Sequence, residues 1–314
     1  MNYKHFGEFL QELRLSRNIT REQLAQNICT PKQIYRIEKG VYEPSLYLIN
    51  QLSIKFNMDL NEYFKMYFTN ITIAGLEGIN SINAAIESGN TPLLKTIIDK
   101  YENHEDFKTG ENLQHIYFGK ALCYALLDND YNNSIDCCYK GVQIEYPTFA
   151  LDKITKNMYS NVGISLLNCM AQNYFAMNQY NKGIKILSDL LIILETYVIN
   201  SPYPLFKASQ FSKKTYQVIL YNIGAHLFDH GELKIALNYI EKGIAFSLKE
   251  YNLRHLPNLV FMKFKILYSE KKYKEAKEYY NRAFYLYRIT NKEAILADIE
   301  ITAKTDYPEI FKQE

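Results

Sequence analysis

The sequence predicts an all-α chain in two parts, a small N-terminal helical unit and a long stack of helical hairpins behind it. Three observations carry this expectation. Between Thr20 and Gly40, two short helical patterns stand on either side of a tight break. From about residue 71 onward, apolar residues recur at helical spacing almost without interruption. Within that region a pattern of small and large residues repeats around Tyr131, Tyr180, Leu233 and Tyr273.

In the first pattern Thr20 precedes Glu22, Gln23, Leu24 and Ala25, and Leu24, Ala25 and Ile28 keep helical spacing up to a break at Cys29. Thr30-Pro31 then opens a second short helix, Lys32 to Lys39, which Gly40 stops. The Thr30 hydroxyl suits an N-cap because it can accept an orphan backbone N–H. Pro31 suits the first helical position, where a missing N–H costs nothing. Ile34 and Ile37 face inward and are core by periodicity, as are Leu24, Leu48 and Leu52, while Lys32, Gln33 and Arg36 fall on the outer side. A short helix with a basic outer face is what a major-groove reader needs. An ordinary solvated face carries such charges too.

These residues resemble the phage-repressor-like helix-turn-helix family, over roughly residues 3–65. Its landmarks are Leu13-Arg14 at the end of a first helix, Asn18-Ile19-Thr20 at the turn, Gln23-Leu24-Ala25, and Ile37-Glu38-Lys39-Gly40. Pro44-Ser45 opens a fourth helix running to Phe56, and Leu60 and Phe64 fit a short fifth. The resemblance implies a five-helix DNA-binding domain in which Lys32 and Arg36 touch base edges, Gln33 and Lys39 share that side, and Arg21 meets phosphate or base. Arg14 and Glu38 match the family's internal ion pair, a structural feature rather than a site. Asn18 replaces the usual Gly, which Asn allows because it accepts a left-handed turn.

A chain of 314 residues exceeds one small domain. Its 36 Lys and Arg against 34 Asp and Glu leave +2, and residues 1–65 alone hold nine against seven. Attraction to nucleic acid must therefore come from where the basic residues sit. Cys29, Cys123, Cys137, Cys138 and Cys169 are odd in number and lack Cys-x-x-Cys spacing. They read as reduced, half-buried thiols, with Cys137 and Cys138 pointing in different directions from one helix. Lys4, Glu8 and Glu12 interrupt any secretory apolar run. The most apolar stretch, Ile184 to Ile199, contains Lys185, Asp189 and Glu195, so it reads as a buried helix and not a membrane span. A soluble, cytoplasmic protein with no membrane partner is expected.

The repeat is clearest at residues that start the second helix of a hairpin: Tyr131, Tyr180, Leu233 and Tyr273, with a weaker counterpart at Thr91. Three residues later stand Ser134, Gly183, Ala236 and Ala276, all small; seven later, Cys138, Leu187, Ile240 and Tyr280; ten later, Gly141, Leu190, Gly243 and Ala283. Nine earlier lie Leu122, Ala171, Gly224 and Phe264. Small residues let antiparallel helices approach, and larger ones fill the space between neighbouring hairpins. Asp130, Asn178-Gln179, Gly231 and Lys271-Lys272 supply polar turns.

This pattern resembles the tetratricopeptide repeat, a hairpin stacked into a right-handed solenoid. The anchors lie 40 to 53 residues apart, longer than the usual spacing of about 34, and Asn200 to Lys207 reads as an extended loop. A helix-turn-helix followed by such degenerate repeats resembles the PlcR/Rgg-type peptide-sensing transcription factors over almost the whole chain. The segments Asn168 to Tyr174 and Leu220 to Gly224 belong to this resemblance. It implies a helix-turn-helix domain at 1–66, a linker at 67–78, a tetratricopeptide-like domain at 79–290 and a capping helix at 291–314. It also implies a homodimer on a pseudo-palindromic double-stranded DNA operator, controlled by a short signalling oligopeptide in quorum sensing.

The first helices of the hairpins line the concave face of such a solenoid, and Asn168, Gln172, Tyr221 and Asn222 fall on positions pointing there. Asn161 and Asn258 are further candidates. An amide donates and accepts at once, so it can clamp an extended peptide backbone irrespective of side chains. Helix-surface polarity is the competing reading in a chain this rich in Asn. Lys120, also on the concave side, could meet a peptide carboxylate or simply be solvated.

His226 and His230 have metal-ligand spacing, but no Glu completes a His-Glu-x-x-His motif and no Cys or further His lies close in sequence. There is no Gly-rich phosphate loop and no Gly-x-Ser-x-Gly elbow. No enzyme, cofactor, metal or catalytic residue is expected. The alternative to a regulator is a helical-repeat interaction scaffold that takes no peptide or has lost DNA binding.

Overall fold

The computed structural model describes residues 4–61, 64, 72–200, 210–290 and 293–312, and all regular structure among them is helical. The N-terminal part comprises α1 (Phe6–Ser16), α2 (Arg21–Ala25), α3 (Pro31–Glu38) and α4 (Leu46–Phe56). Both Thr residues close capping boxes. The Thr20 hydroxyl accepts the Gln23 N–H at 3.2 Å while Gln23 Oε1 accepts the Thr20 N–H at 2.8 Å. Thr30 and Gln33 repeat the arrangement at 3.2 and 3.3 Å. Asn18 takes the expected left-handed turn at φ 54°, and Gly40 leaves α3 at φ 67°. One boundary differs from expectation: α2 stops at Ala25, before Ile28, because Gln26 is extended and Asn27 turns left-handed at φ 64°. Leu24, Ile34, Ile37, Leu48 and Leu52 are core, with Phe6, Leu10, Ile49 and Leu60. Leu60, Asn61 and Phe64 are helical and Phe64 packs against this core; residues 62 and 63 of the expected fifth helix lie outside the described residues.

The longer part continues with α5 (Ile73–Ser88), α6 (Thr91–Tyr101), α7 (Gly110–Leu126) and α8 (Tyr131–Gln143). It goes on through α9 (Asn161–Ala176), α10 (Tyr180–Ile193), α11 (Gln210–Asp229) and α12 (Leu233–Lys249). It ends with α13 (Leu256–Ser269), α14 (Tyr273–Ile289) and α15 (Glu293–Asp306). Thr91, Tyr131, Tyr180, Leu233 and Tyr273 each open their helix, as the repeat pattern predicts. Helices pair as α7–α8, α9–α10, α11–α12 and α13–α14, and the first helices α7, α9, α11 and α13 also touch in series. Small residues set the approach. A Cβ on Gly224 would lie 2.5 Å from Ile240 Cδ1, and one on Gly243 2.7 Å from Leu259 Cδ2.

Some expectations need correction. Residues 67–71 of the expected linker lie outside the described residues, but α5 already begins at Ile73, so the second half is helical. By compactness the chain divides into residues 1–84 with 104–106, and residues 85–103 with 107–314, so the division falls within α5. Of the expected 200–207 loop only Asn200 is described. The apolar stretch after Tyr180 is α-helical to Ile193 and then widens into a π-turn, Leu194–Ile199. Four of the five free cysteines are buried rather than half-buried, and only Cys29 is intermediate. Cys137 and Cys138 are both covered because α8 packs against α7 on one side and α9 on the other. Among the described residues no helix is long and apolar enough to cross a membrane.

Helix α1 crosses the end of α3 at Gly7, where a Cβ would lie 1.7 Å from the Ile37 carbonyl oxygen. Backbone cannot yield as a side-chain tip can. Gly7→Ala is therefore expected to destabilise the N-terminal unit by about 3 kcal/mol, and Gly224→Ala the repeats by only about 1 kcal/mol as Ile240 re-settles. Urea unfolding of the full chain measures both; equal effects would contradict the packing described.

Candidate functional site

The surface of α3 is organised by a carboxylate beneath it. Glu38 is 1% exposed. Arg14 Nε donates to Glu38 Oε1 at 2.6 Å and its Nη2 to Oε2 at 3.3 Å, while Arg14 Nη1 reaches the Ile19 carbonyl at 2.8 Å. Arg21 joins from α2, its Nε donating to Glu38 Oε2 at 2.6 Å and its guanidinium lying 5.2 Å from the Tyr35 ring centroid. The expected Arg14–Glu38 pair is thus a three-residue node tying α1, α2 and α3 together. Arg21, expected only as a nucleic-acid contact, is half-buried and spends its Nε on Glu38. Lys32, Arg36 and Lys39 are exposed and make no ion pair among the described residues. Gln33 commits its Oε1 to the helix cap and keeps only its amide N–H groups for a ligand.

In the repeats, the first-helix face brings several predicted residues together. Asn222 Nδ2 donates to Asn168 Oδ1 at 3.0 Å, joining α11 to α9. The pair keeps one amide NH₂, on Asn168, and one carbonyl oxygen, on Asn222. One turn along, His226 Nε2 donates to Gln172 Oε1 at 3.0 Å, and its ring stacks on Phe175 at 3.5 Å and 14°. Gln172 Nε2 is buried without a hydrogen-bond partner among the described residues. His230 stacks on Tyr180 at 4.1 Å and 7°. The two histidines whose spacing suggested a metal are thus used in stacking between repeats; no described group of three or more His, Cys, Asp or Glu is placed to hold a metal.

The other candidates are placed differently. Tyr221 is half-buried, and burial, with the charge of Asp229, pushes its phenol up. Asn258 is held away from the pair, its Oδ1 accepting the Tyr287 hydroxyl at 2.8 Å. Asn161 is exposed at the start of α9. Lys120 is ion-paired with Glu102. Two turns before Asn222 on the same helix, Lys214 Nζ bonds Glu87 Oε1 at 3.0 Å, and Arg254 Nη2, just ahead of α13, bonds the same oxygen at 3.0 Å. Sequence reading missed this cluster and the Phe175–His226 stack. On α11 Lys214 stands two turns before Tyr221 and His226 one turn after Asn222, so both could have been found by spacing. Glu87, 127 residues from Lys214 in the chain, left no such signal.

A helix-turn-helix family profile matches residues 10–63, and the profile described as the RNPP family C-terminal domain matches residues 148–308. None of the curated proteins matches the chain in sequence. In fold the chain is similar to PlcR of Bacillus thuringiensis, solved with the peptide PapR7 and DNA: TM-score 0.74 and 16% identity, covering 95% of this chain and 99% of that one. ComR from S. thermophilus, solved with DNA and its signalling peptide ComS, gives TM-score 0.61 and 18% identity over 96% of this chain and 99% of its own. Rgg2, the SHP pheromone receptor of Streptococcus dysgalactiae, gives 0.62 and 15% over 96% and 100%. At such identities the likeness is one of fold.

Two outcomes follow from these geometries. Glu38→Gln leaves two guanidinium groups facing a neutral amide and is expected to cost about 3–5 kcal/mol of N-terminal stability, read by urea unfolding; a loss below 1 kcal/mol would deny the node its role. Burial holds the His226 imidazole below its ordinary 6.5. The unfolded chain then binds the proton more readily, so this contribution to stability is intact above about 6.5 and is lost as pH falls through the lower folded value. Urea midpoints are expected to fall between about pH 7.5 and about pH 5, and His226→Gln to reduce the fall. An unchanged pH profile in that variant would contradict the assignment.

Proposed function

Because the chain belongs to the RNPP family, whose C-terminal domain it matches over residues 148–308 of its 314, we propose that it is a cytoplasmic, sequence-specific DNA-binding transcriptional regulator, not an enzyme, whose repeats bind a short signalling peptide in quorum sensing. Helix α3 enters the major groove. Arg36 and Lys32 read base edges, where the Arg fork matches the two acceptors of guanine. Lys39, the Gln33 amide N–H groups and the Arg21 Nη atoms hold the flanking backbone. A single α3 reads few base pairs, so two copies on a two-fold axis, each on one half-site, supply the specificity.

The observation that carries the peptide reading is the Asn168–Asn222 rung. An extended chain presents the N–H and C=O of one residue on the same edge. The Asn222 carbonyl oxygen and Asn168 NH₂ complement that edge, and the unpartnered Gln172 Nε2 lies one turn on. Tyr221 flanks the rung; Asn161 and Asn258 belong to the outer part of the same face. A backbone held there touches α9 and α11 together and sets the angle between their repeats. The ligand shifts the protein's shape only by its differential affinity for the two states, about 5.5 kcal/mol for a near-complete switch. PlcR and ComR were each solved with a peptide and DNA together.

Arg36→Ala is expected to remove about 1–3 kcal/mol of discrimination between operator and mismatched DNA, measured by gel shift at fixed salt; undiminished discrimination by the folded variant refutes the contact. Synthetic peptides of roughly five to ten residues, taken from short reading frames beside the gene, are expected to bind with micromolar or better affinity in calorimetry. Asn168→Ala and Asn222→Ala are each expected to abolish that binding while operator affinity persists. Normal peptide binding by both variants would remove the clamp, and a monomer in light scattering with and without DNA would remove the dimer.

A further inference from the structure

We infer that Lys214 and Arg254 form a carboxylate-binding subsite at one end of the first-helix face, and that Glu87 occupies it as an internal stand-in which an acidic group of the ligand displaces. The inference rests on the peptide reading above and adds the chemistry of the ligand's charged group.

Position is the first support. Lys214 stands two turns before Asn222 on α11, close to the line of Val218 and Tyr221, and Arg254 lies just ahead of α13, the next first helix. At about 1.5 Å per residue Lys214 sits about 12 Å along α11 from the Asn168–Asn222 rung. An extended peptide covers that distance in about three to four residues. The subsite therefore suits a carboxylate three to four residues away from the clamped one.

The second support is how the site is filled now. Two cations converge on one oxygen, Glu87 Oε1, at 3.0 Å each, and Glu87 arrives from the last turn of α5, far away in sequence. Neighbouring Lys213 is ion-paired separately with Glu250 at 2.6 Å. The Lys214 hydrogen bond, with the charges of Lys214 and Arg254, holds the Glu87 carboxyl below its ordinary range, so it is an anion at neutral pH. About half of the Glu87 side chain is exposed. Exposed ion pairs of this kind are weak and exchangeable, whereas a ligand carboxylate arrives already held at the Asn rung and can use the Arg fork bidentately. Displacing Glu87 also breaks the ion pairs that Lys214 and Arg254 make with it.

The test uses calorimetry on the full chain with the synthetic peptides named above, each as the free acid, as the C-terminal amide, and with acidic side chains replaced by their amides. The two amide arms distinguish a C-terminal from a side-chain carboxylate. Glu87→Gln is expected to tighten the acid peptide by about tenfold, and Lys214→Gln with Arg254→Gln to weaken it by about tenfold or more. Neither change is expected to move the peptide whose docking carboxylate is amidated. The unsubstituted protein with acid and amide peptides gives the same comparison without any mutation. Equal binding of acid and amide forms by every variant overturns the subsite and leaves the peptide reading standing. Binding of no peptide by either the parent or Glu87→Gln overturns both.

Discussion

A helical hairpin in this chain has apolar residues on both flanks, so each is stable only while its neighbours cover it, and that mutual covering governs everything else in the repeats. Gly224 against Ile240 and Gly243 against Leu259 bring helices close enough for the core to run unbroken from Ala121 to Ile266. A second cluster from Leu256 to Ile310 continues it to the last described residues. Because backbones approach at fixed points, first helices meet at fixed points as well. The Asn168–Asn222 bond and the Gln172–His226 bond are consequences of that spacing, with the His226 ring held by stacking on Phe175.

The N-terminal unit solves a different problem. It is too small to bury much apolar surface, and polar anchors complement its core. Two capping boxes hold α2 and α3, and Glu38 gathers Arg14 and Arg21 beneath the exposed face. Removing two charges from water is expensive, and such a node contributes orientation as much as stability. Lys32, Arg36 and Lys39 are presented outward from a helix fixed at its far end by Glu38, so their spacing relative to α2 is set before any partner arrives.

A stack of hairpins has few contacts between distant repeats, which leaves its curvature soft. Polar rungs across neighbouring first helices are where a small ligand gains leverage, because each rung spans two repeats. The Asn pair offers a main-chain complement, the neutral, stacked His226 offers little charge, and the Glu87 cluster adds a convergence of two cations on one carboxylate. Backbone clamping is indifferent to side chains; the charge cluster is not.

Local physics was legible in the sequence. Thr20, Thr30, Pro31 and Gly40 act through their own neighbours, so helix starts and stops could be read directly. Tyr131, Tyr180, Leu233 and Tyr273 open their helices because helical periodicity and small-residue spacing are properties of a short window. Asn168 and Asn222 could be placed on one face by counting turns, but not their bond, which spans 54 residues. The early end of α2 escaped because Asn27 prefers a left-handed turn only weakly. Tertiary structure alone decided that Arg21 turns inward to Glu38, that Cys137 and Cys138 are both covered, and that Glu87 meets Lys214 and Arg254. Each depends on which surfaces the stacked helices bring together, and side-chain pairing across so many residues has no periodicity for a sequence to display.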